Sequence, residues 1–257
     1  MSNLVSVLAA LLIAHALGDF LLQRRSMIEA KRQRRVTAYL EHGLLHLGAL
    51  TLAWWLFVRM PMLQSQVLIA FAIIVVTHLV IDWIKETTKP GGGPWIGPGP
   101  FMLDQLAHLS IIVGLTYWLA GSPRLWSMLS YNWELYAPVA GIVLMGYLFV
   151  IFGVGYLNAS LLPKMVPTPV REDAQSNGLD NAGLYIGWLE RFLLLTAVLM
   201  QSPAALGLIV AAKSIFRFDD IRQGRATTEY FLIGTLLSVS QAVLGGLLIM
   251  FLFRQVL

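Results

Sequence analysis

Long apolar stretches, separated by short polar segments, run along the whole chain. Eight of them approach or exceed the length of about 20 residues that a helix needs to cross a bilayer. They span residues 3–22, 38–58, 66–84, 101–120, 136–162, 184–200, 203–218 and 228–253, of which the seventh is the shortest. This pattern predicts an all-α fold, a polytopic membrane helix bundle of about 8 transmembrane helices.

Polar residues interrupt the first four stretches at a regular spacing. All five histidines of the chain lie there, and each has a His or Asp four residues away. Residues at that spacing share one face of a helix. The pairs are His15 with Asp19, His42 with His46, His78 with Asp82, and Asp104 with His108.

The pairs also recur along the chain. "HALGDF" and "EHGLLH" are followed 62 or 63 residues later by "HLVIDW" and "DQLAHL". We interpret residues 1–120 as a tandem duplication of a helical hairpin, with repeats at about 1–58 and 66–120. Residues 121–257 form a second helical half, and both halves are expected to belong to one integrated membrane domain.

The four pairs are expected to lie at one depth in the membrane. They come late in the first and third helices and early in the second and fourth, and successive helices cross in opposite directions. A single pair is explained equally well by a buried hydrogen bond, but ionisable groups gathered inside a membrane tend to mark function. All eight residues are therefore candidate metal ligands, although some Asp residues could instead orient the His ligands.

The composition limits the choice of metal. There is no cysteine, so any ligand set must use nitrogen and oxygen atoms. Five His and three Asp favour zinc, with manganese or iron as alternatives, and are enough for two ions. A divalent cation would balance the Asp charges while binding neutral imidazoles.

Charge is sparse and unevenly distributed. The chain is 57% hydrophobic and 12% charged, with a mean hydropathy of +0.70 and a net charge of +4. Thirteen Lys and Arg residues lie near the connections after the first, third, fifth and seventh stretches, against three on the opposite side. The positive-inside rule thus places both termini on the non-cytoplasmic side and the His/Asp layer toward the cytoplasm. The basic run at residues 24–35 is interpreted as a topology signal on anionic headgroups, and no nucleic-acid partner is expected.

Three further residues adjoin the pairs. Glu41, beside His42, is a candidate general base for a metal-bound water or, equally, an exposed carboxylate favoured by the helix dipole. Gln23 and Glu86 continue two of the paired faces by one more turn, and are candidates for hydrogen bonding at the mouth of the site.

A glycine- and proline-rich segment, "KPGGGPWIGPGP", occupies residues 89–100. It lacks the sequence context of a phosphate-binding loop. It is interpreted as a linker, or as a lid over the site because it leads directly to Asp104 and His108.

The second half has no histidine but carries charge at the same predicted level. The candidates are Glu190, Arg191, Lys213, Arg217 and Glu229. They could form interhelical ion pairs or extend to the membrane interface. Alternatively, the three cationic residues form a clamp for a phosphate or carboxylate group.

The motifs "HALGDFLLQ", "EHGLLH", "HLVIDWIK" and "DQLAH", with "IGWLERF", "AAKSIFRF" and "EYFLIGTLLS" in the second half, resemble a bacterial multi-pass membrane family known as a domain of unknown function. The resemblance covers most of the chain and implies a bacterial inner-membrane location, but no activity. A looser likeness is to membrane-bound proteins described as metal-dependent hydrolases.

Three functions fit these features. The first is a metal-dependent hydrolase with a cytoplasm-facing, binuclear zinc site that acts on a lipid or an amphipathic ester or phosphoester; its partners would be membrane lipids. The second is a divalent-cation or proton-coupled transporter that uses the same His and Asp residues. The third is a membrane scaffold with a structural metal. The oligomeric state stays open.

Overall fold

A computed structural model of the chain describes residues 2–59, 61–87, 98–121, 131–165, 182–216 and 225–256. All regular structure in these ranges is helical, which confirms the predicted all-α class for this part of the chain. The α-helices are α1 (Ser2–Ala16), α2 (Arg25–Arg32), α3 (Val36–Phe57), α4 (Ser65–Thr87), α5 (Pro98–Ala120), α6 (Tyr131–Leu148), α7 (Val154–Met165), α8 (Ala182–Leu199), α9 (Pro203–Phe216) and α10 (Arg225–Val256). In the same ranges the chain is π-helical at Leu17–Leu22, after α1, and at Phe149–Gly153, between α6 and α7.

Five segments within the described residues are long and apolar enough to cross a membrane, which points to membrane association. They are Leu4–Leu22, Ser65–Glu86, Phe101–Ala120, Ala137–Ala159 and Leu232–Gln255. The other three predicted spans correspond to α3, α8 and α9. The total of eight transmembrane helices therefore stays a prediction.

The basic run at residues 24–35 is predicted as a connection between spans, and in the structure it contains the helix α2. Met27 and Lys31 lie one turn apart on the inner face of this helix and are both buried. Sequence periodicity over eight residues is a weak signal, and contacts with α3 and α4 supply the packing that holds this short helix.

The described residues form two compact units, one up to Leu148 and the other comprising Phe149–Gln255. In the first unit α1 is the central helix, since it contacts α3, α5 and α6, while α4 contacts α3 and α5. A helix that is apolar all round is suited to such a position. Its buried residues include Val7, Ala9, Ala10, Leu11, Ile13 and Ala14.

Small residues allow α1 to approach its neighbours closely. A Cβ atom added at Gly141 of α6 would lie 2.6 Å from the Cβ of Ala9 on α1. Close approach of this kind increases van der Waals contact between membrane helices, where lipid supplies little hydrophobic driving force. The position of α1, and with it that of His15, depends on this packing.

In the second unit, α8 contacts α7, α9 and the π-helical turn at Phe149–Gly153. Gly245 and Gly246 of α10 fit against Val150 and Val198, with no room for a Cβ at either glycine. Close helix packing therefore also organises this unit.

We predict that Gly141→Ala destabilises the first unit by about 1–3 kcal/mol, because the new methyl group overlaps Ala9. A lowered melting temperature in detergent micelles would show this effect. Gly48→Ala on α3 and Gly114→Ala on α5 are matched controls, since an added Cβ meets nothing within 4 Å at either position. An unchanged melting temperature for Gly141→Ala would contradict the close packing.

Candidate metal centre

Four helical segments bring the paired residues of the sequence into one cluster. His15 is on α1 and Asp19 is in the π-helical turn after it, while α3, α4 and α5 each carry one further pair. All eight side chains are buried, with relative exposures of 9% or less. Three overlapping groups have ligand atoms within 4.8 Å of one another: Asp19 with His42, His46 and His78; His15 with Asp19 and His108; and His78 with Asp82 and His108.

The first group has the spacing of a four-coordinate metal site. Asp19 Oδ1 lies 3.2–3.3 Å from the Nε2 atoms of three imidazoles, and two of those Nε2 atoms are 2.9 Å apart. Zinc bonds of 2.0–2.1 Å in a tetrahedron put neighbouring ligand atoms about 3.3–3.4 Å apart. The residues involved are Asp19, His42, His46 and His78.

The second group uses the other oxygen of the same carboxylate. Asp19 Oδ2 lies 3.8 Å from His15 Nε2, and the His15 and His108 rings are 4.8 Å apart between centroids. His108 Nδ1 donates a hydrogen bond of 2.8 Å to the Asp104 carbonyl, which leaves His108 Nε2 with a lone pair. That Nε2 atom is buried and has no hydrogen-bond partner among the described residues, so it is available as a ligand.

A small cavity adjoins this second group. It has room for about one water molecule. Its polar lining comes from His15, His78, His108 and Thr77, and its apolar lining from three isoleucines. The space lies beside the atoms that a second metal ion would contact.

Two lysines pair with the remaining carboxylates, those of Asp82 and Asp104. Asp82 accepts from Lys31 Nζ at 2.5 Å and from Lys85 Nζ at 2.8 Å, one ammonium on each oxygen. Lys85 also donates to Asp104 Oδ2 at 3.2 Å. The structure thus brings Asp82 and Asp104 into the cluster as partners of ammonium groups, while Asp19 faces the imidazoles.

The sequence assigned Lys31 and Lys85 only to membrane topology, and their place in the cluster is new. Burial lowers the pKa of the Lys31 ammonium, and the adjacent Asp82 carboxylate opposes that shift. Two spacings in the sequence could have indicated that these lysines face the cluster: the four residues from Met27 to Lys31 and the three residues from Asp82 to Lys85.

Two other residues that the sequence analysis missed shape the site. Gln105 Oε1 accepts a hydrogen bond from His15 Nε2 at 3.3 Å. Gly18 faces the His46 imidazole so closely that an added Cβ would overlap the ring. Only glycine leaves room at position 18 for His46 to reach Asp19.

The weaker candidates of the first half lie around this cluster. Glu41 is exposed on α3, and no described group of metal-ligating side chains includes it. Gln23, which ends the π-helical turn, and Glu86 are half-buried. Residues 89–97 of the glycine- and proline-rich segment lie outside the described residues, so the choice between linker and lid stays open.

The charged candidates of the second half form their own contacts. Lys213 Nζ donates to Glu190 Oε2 at 2.5 Å, an ion pair between α8 and α9. Arg191 is buried, and its Nε donates to the Ile151 carbonyl in the π-helical turn at 2.9 Å. Glu229 is exposed on α10, and Arg217 lies outside the described residues.

We predict that Asp82→Asn lowers the free energy of unfolding by about 3–5 kcal/mol, because it leaves the buried Lys31 ammonium without its counter-charge. Adding Lys31→Met should recover much of this loss, which a double-mutant cycle by denaturant titration in micelles would measure. Glu190→Gln, at the more exposed pair with Lys213, is the comparison and should cost less. Additive losses for the two substitutions would contradict the direct ion pair.

No curated protein and no solved structure matches the chain. A family model described as protein of unknown function (DUF3307) matches residues 7–136. This range includes all eight paired residues, whereas the "IGWLERF", "AAKSIFRF" and "EYFLIGTLLS" motifs lie outside it. The chain belongs to the DUF3307 family of proteins of unknown function.

Proposed function

We propose that this protein is an integral membrane, metal-dependent hydrolase with a binuclear zinc centre. The observation that carries the proposal is the position of Asp19. Its Oδ1 atom is nearly equidistant from three imidazole nitrogens, and its Oδ2 atom faces His15 of the second group. A carboxylate in this position can bridge two metal ions.

The two ion positions differ in the number of ligands. The first offers four protein ligands and resembles a closed site, whereas the second offers only His15, His108 and the shared Asp19. Catalytic zinc sites commonly have three protein ligands and leave one position for water, whose pKa the metal lowers toward neutrality. The cavity beside His15 and His108 supplies space for that water.

The chain's own residues would prepare the open position. The Asp104 carbonyl holds His108 with its Nε2 lone pair toward the site, and Gln105 orients His15 until a ligand replaces that hydrogen bond. Glu41 is exposed, so a role for it as general base would need a rearrangement of α3. The proposal therefore relies on the metal, and not on Glu41, to acidify the water.

The charges favour an anionic substrate. Lys31 and Lys85 balance Asp82 and Asp104, which leaves Asp19 alone against up to two divalent cations. The resulting positive charge in an apolar surrounding suits a phosphoester or an ester with an acidic group, and a buried site among membrane-length helices suits a lipid or amphipathic molecule. The cationic clamp of Arg191, Lys213 and Arg217 stays a prediction of the sequence, because the contacts described for Arg191 and Lys213 lie within the second unit.

We also propose a finer membrane arrangement. It comprises eight transmembrane helices, the tandem hairpin repeat, a bacterial inner-membrane location and a site that faces the cytoplasm. The four i, i+4 pairs support the repeat; they lie on α3, α4, α5 and on α1 with its π-helical turn. The uneven distribution of Lys and Arg supports the orientation.

Metal content is the first test. Purified protein should hold two zinc ions per chain by elemental analysis. His108→Ala should retain one ion and Asp19→Ala should retain neither, because only Asp19 belongs to both positions. Ser110→Ala, at an exposed site one half-turn after His108, is the matched control and should retain both. A metal content that is the same in all three variants would remove the centre and the mechanism.

Hydrolysis is the second test. Anionic phospholipids and p-nitrophenyl phosphate are suitable probes, assayed with zinc-loaded protein in micelles. Turnover should fall by 10²-fold or more in His108→Ala, since the open position is lost while the first ion stays bound. Equal turnover in His108→Ala and Ser110→Ala would contradict the assignment of the second position.

The alternating ammonium and carboxylate groups of Lys31, Asp82, Lys85 and Asp104 favour one competing function, transport of protons or divalent cations. Zinc flux into proteoliposomes would support transport, whereas tightly bound zinc without flux would support the enzyme. Two fully coordinated ions with no water ligand would instead indicate a membrane scaffold with structural metals.

A further inference from the structure

The two faces of α2 differ in charge and burial. Met27 and Lys31 pack inward, while the outer surface of α2 and its flanking residues is strongly basic. The exposed arginines are Arg24, Arg25, Arg32, Arg34 and Arg35, and Glu29 is the exposed acid among residues 24–35. We refer to these five arginines as the basic patch.

The basic patch lies where the apolar outer surface of the first unit ends. Leu21 and Leu22 precede it and are 48% and 37% exposed, and Val36 and Leu40 follow it at 70% and 59%. Exposed apolar side chains of this kind face hydrocarbon in a membrane protein. The intervening α2 is therefore placed at the boundary between hydrocarbon and headgroups, as in amphipathic helices that lie on membranes.

The opposite face of α2 reaches the candidate metal centre through Lys31. The Lys31 ammonium pairs with Asp82, whose Oδ2 atom is 3.4 Å from Nε2 of the candidate ligand His42. Tyr39 supports the lysine by donating a hydrogen bond of 3.4 Å to its carbonyl and by placing its ring 5.8 Å from Nζ. One buried ion pair thus connects a helix at the membrane surface with the ligand cluster.

We propose that the basic patch binds anionic phospholipid headgroups, and that lipid bound there holds α2 in its seated position over the metal centre. The charge of the patch is complementary to a phosphodiester surface, and arginine binds phosphate oxygens in a bidentate manner. Seated α2 keeps Lys31 against Asp82, beside the candidate ligand His42. The effect on metal retention rests on the proposed function, whereas lipid binding by α2 does not.

The absence of cysteine from the chain allows a direct test. Met27→Cys places a single thiol on the buried face of α2, and Glu29→Cys places one on the exposed face as the matched control. Both variants are treated with an uncharged maleimide in nanodiscs of phosphatidylcholine alone or with phosphatidylglycerol. Modification of the Met27→Cys variant should be on the order of tenfold slower with phosphatidylglycerol, while the Glu29→Cys variant should react at similar rates in both.

Substitution of the patch should abolish this lipid effect. When three arginines of the patch, Arg32, Arg34 and Arg35, are changed together to Gln, modification of the Met27→Cys variant should no longer depend on phosphatidylglycerol. The control is Arg254→Gln, at an exposed basic residue of α10, which should leave the lipid effect intact. Equal reactivity of the buried-face thiol in the two lipid compositions, with the arginines present, would overturn the proposal. A spin label on the Glu29→Cys variant gives a second measurement, since seating of α2 should restrict its mobility in phosphatidylglycerol.

Zinc release to a chelator then tests the connection with the metal centre. It should be several-fold slower in phosphatidylglycerol nanodiscs, and Lys31→Met should remove this difference while Arg254→Gln should not. If the protein binds no zinc, the proposed function fails and the thiol measurements still decide lipid binding. If zinc is bound and its release does not depend on lipid, the proposed coupling through Lys31 is wrong.

Discussion

The compensation of buried charge in an apolar helix bundle is the constraint on which the first unit depends. Asp19, Asp82 and Asp104 are carboxylates on helices otherwise rich in aliphatic residues, and an unpaired charge in such surroundings is costly. The three carboxylates are compensated in two different ways. Lysines from α2 and α4 satisfy Asp82 and Asp104, while Asp19 is surrounded by imidazoles that carry no full charge when they act as metal ligands. Asp19, with the imidazoles around it, thus belongs to the part of the cluster that could hold a metal ion.

The backbone is adapted to this requirement. The end of α1 is π-helical from Leu17 to Leu22, and π-helical turns are frequent at functional sites because they re-aim side chains within a helix. Gly18 in that turn leaves room for the His46 ring, and Gly141 lets α6 approach α1 at Ala9. The close packing around α1 and the position of Asp19 therefore both depend on glycines that leave room for neighbouring side chains. The family match over residues 7–136 covers Ala9 and the π-helical turn, whereas Gly141 lies outside it.

The eight paired residues are not equivalent candidate ligands, because they have three different roles in the cluster. Asp19 with three histidines forms the compact group, His15 and His108 border the cavity, and the two other carboxylates bind ammonium groups. The ion pairs hold α2 and the ends of α4 and α5 beside the ligands. Because two of the carboxylates are paired with lysines, the cluster can be buried in an apolar unit without all five histidines and all three carboxylates binding metal.

The helical class, the long apolar segments and the four pairs of His and Asp are evident from the sequence alone, because helix periodicity and hydrophobic length are local properties. The sequence also predicted that all eight paired residues lie at one level, and the structure brings them into one buried cluster. The packing of the helices sets which atoms converge. It also brings Lys31 and Gln105 to the cluster and lets His46 approach at Gly18. These features depend on the register and rotation of neighbouring helices to within about an ångström, as hydrogen-bond and metal-ligand geometry requires. A periodic pattern within one helix carries no information at that precision about its neighbours.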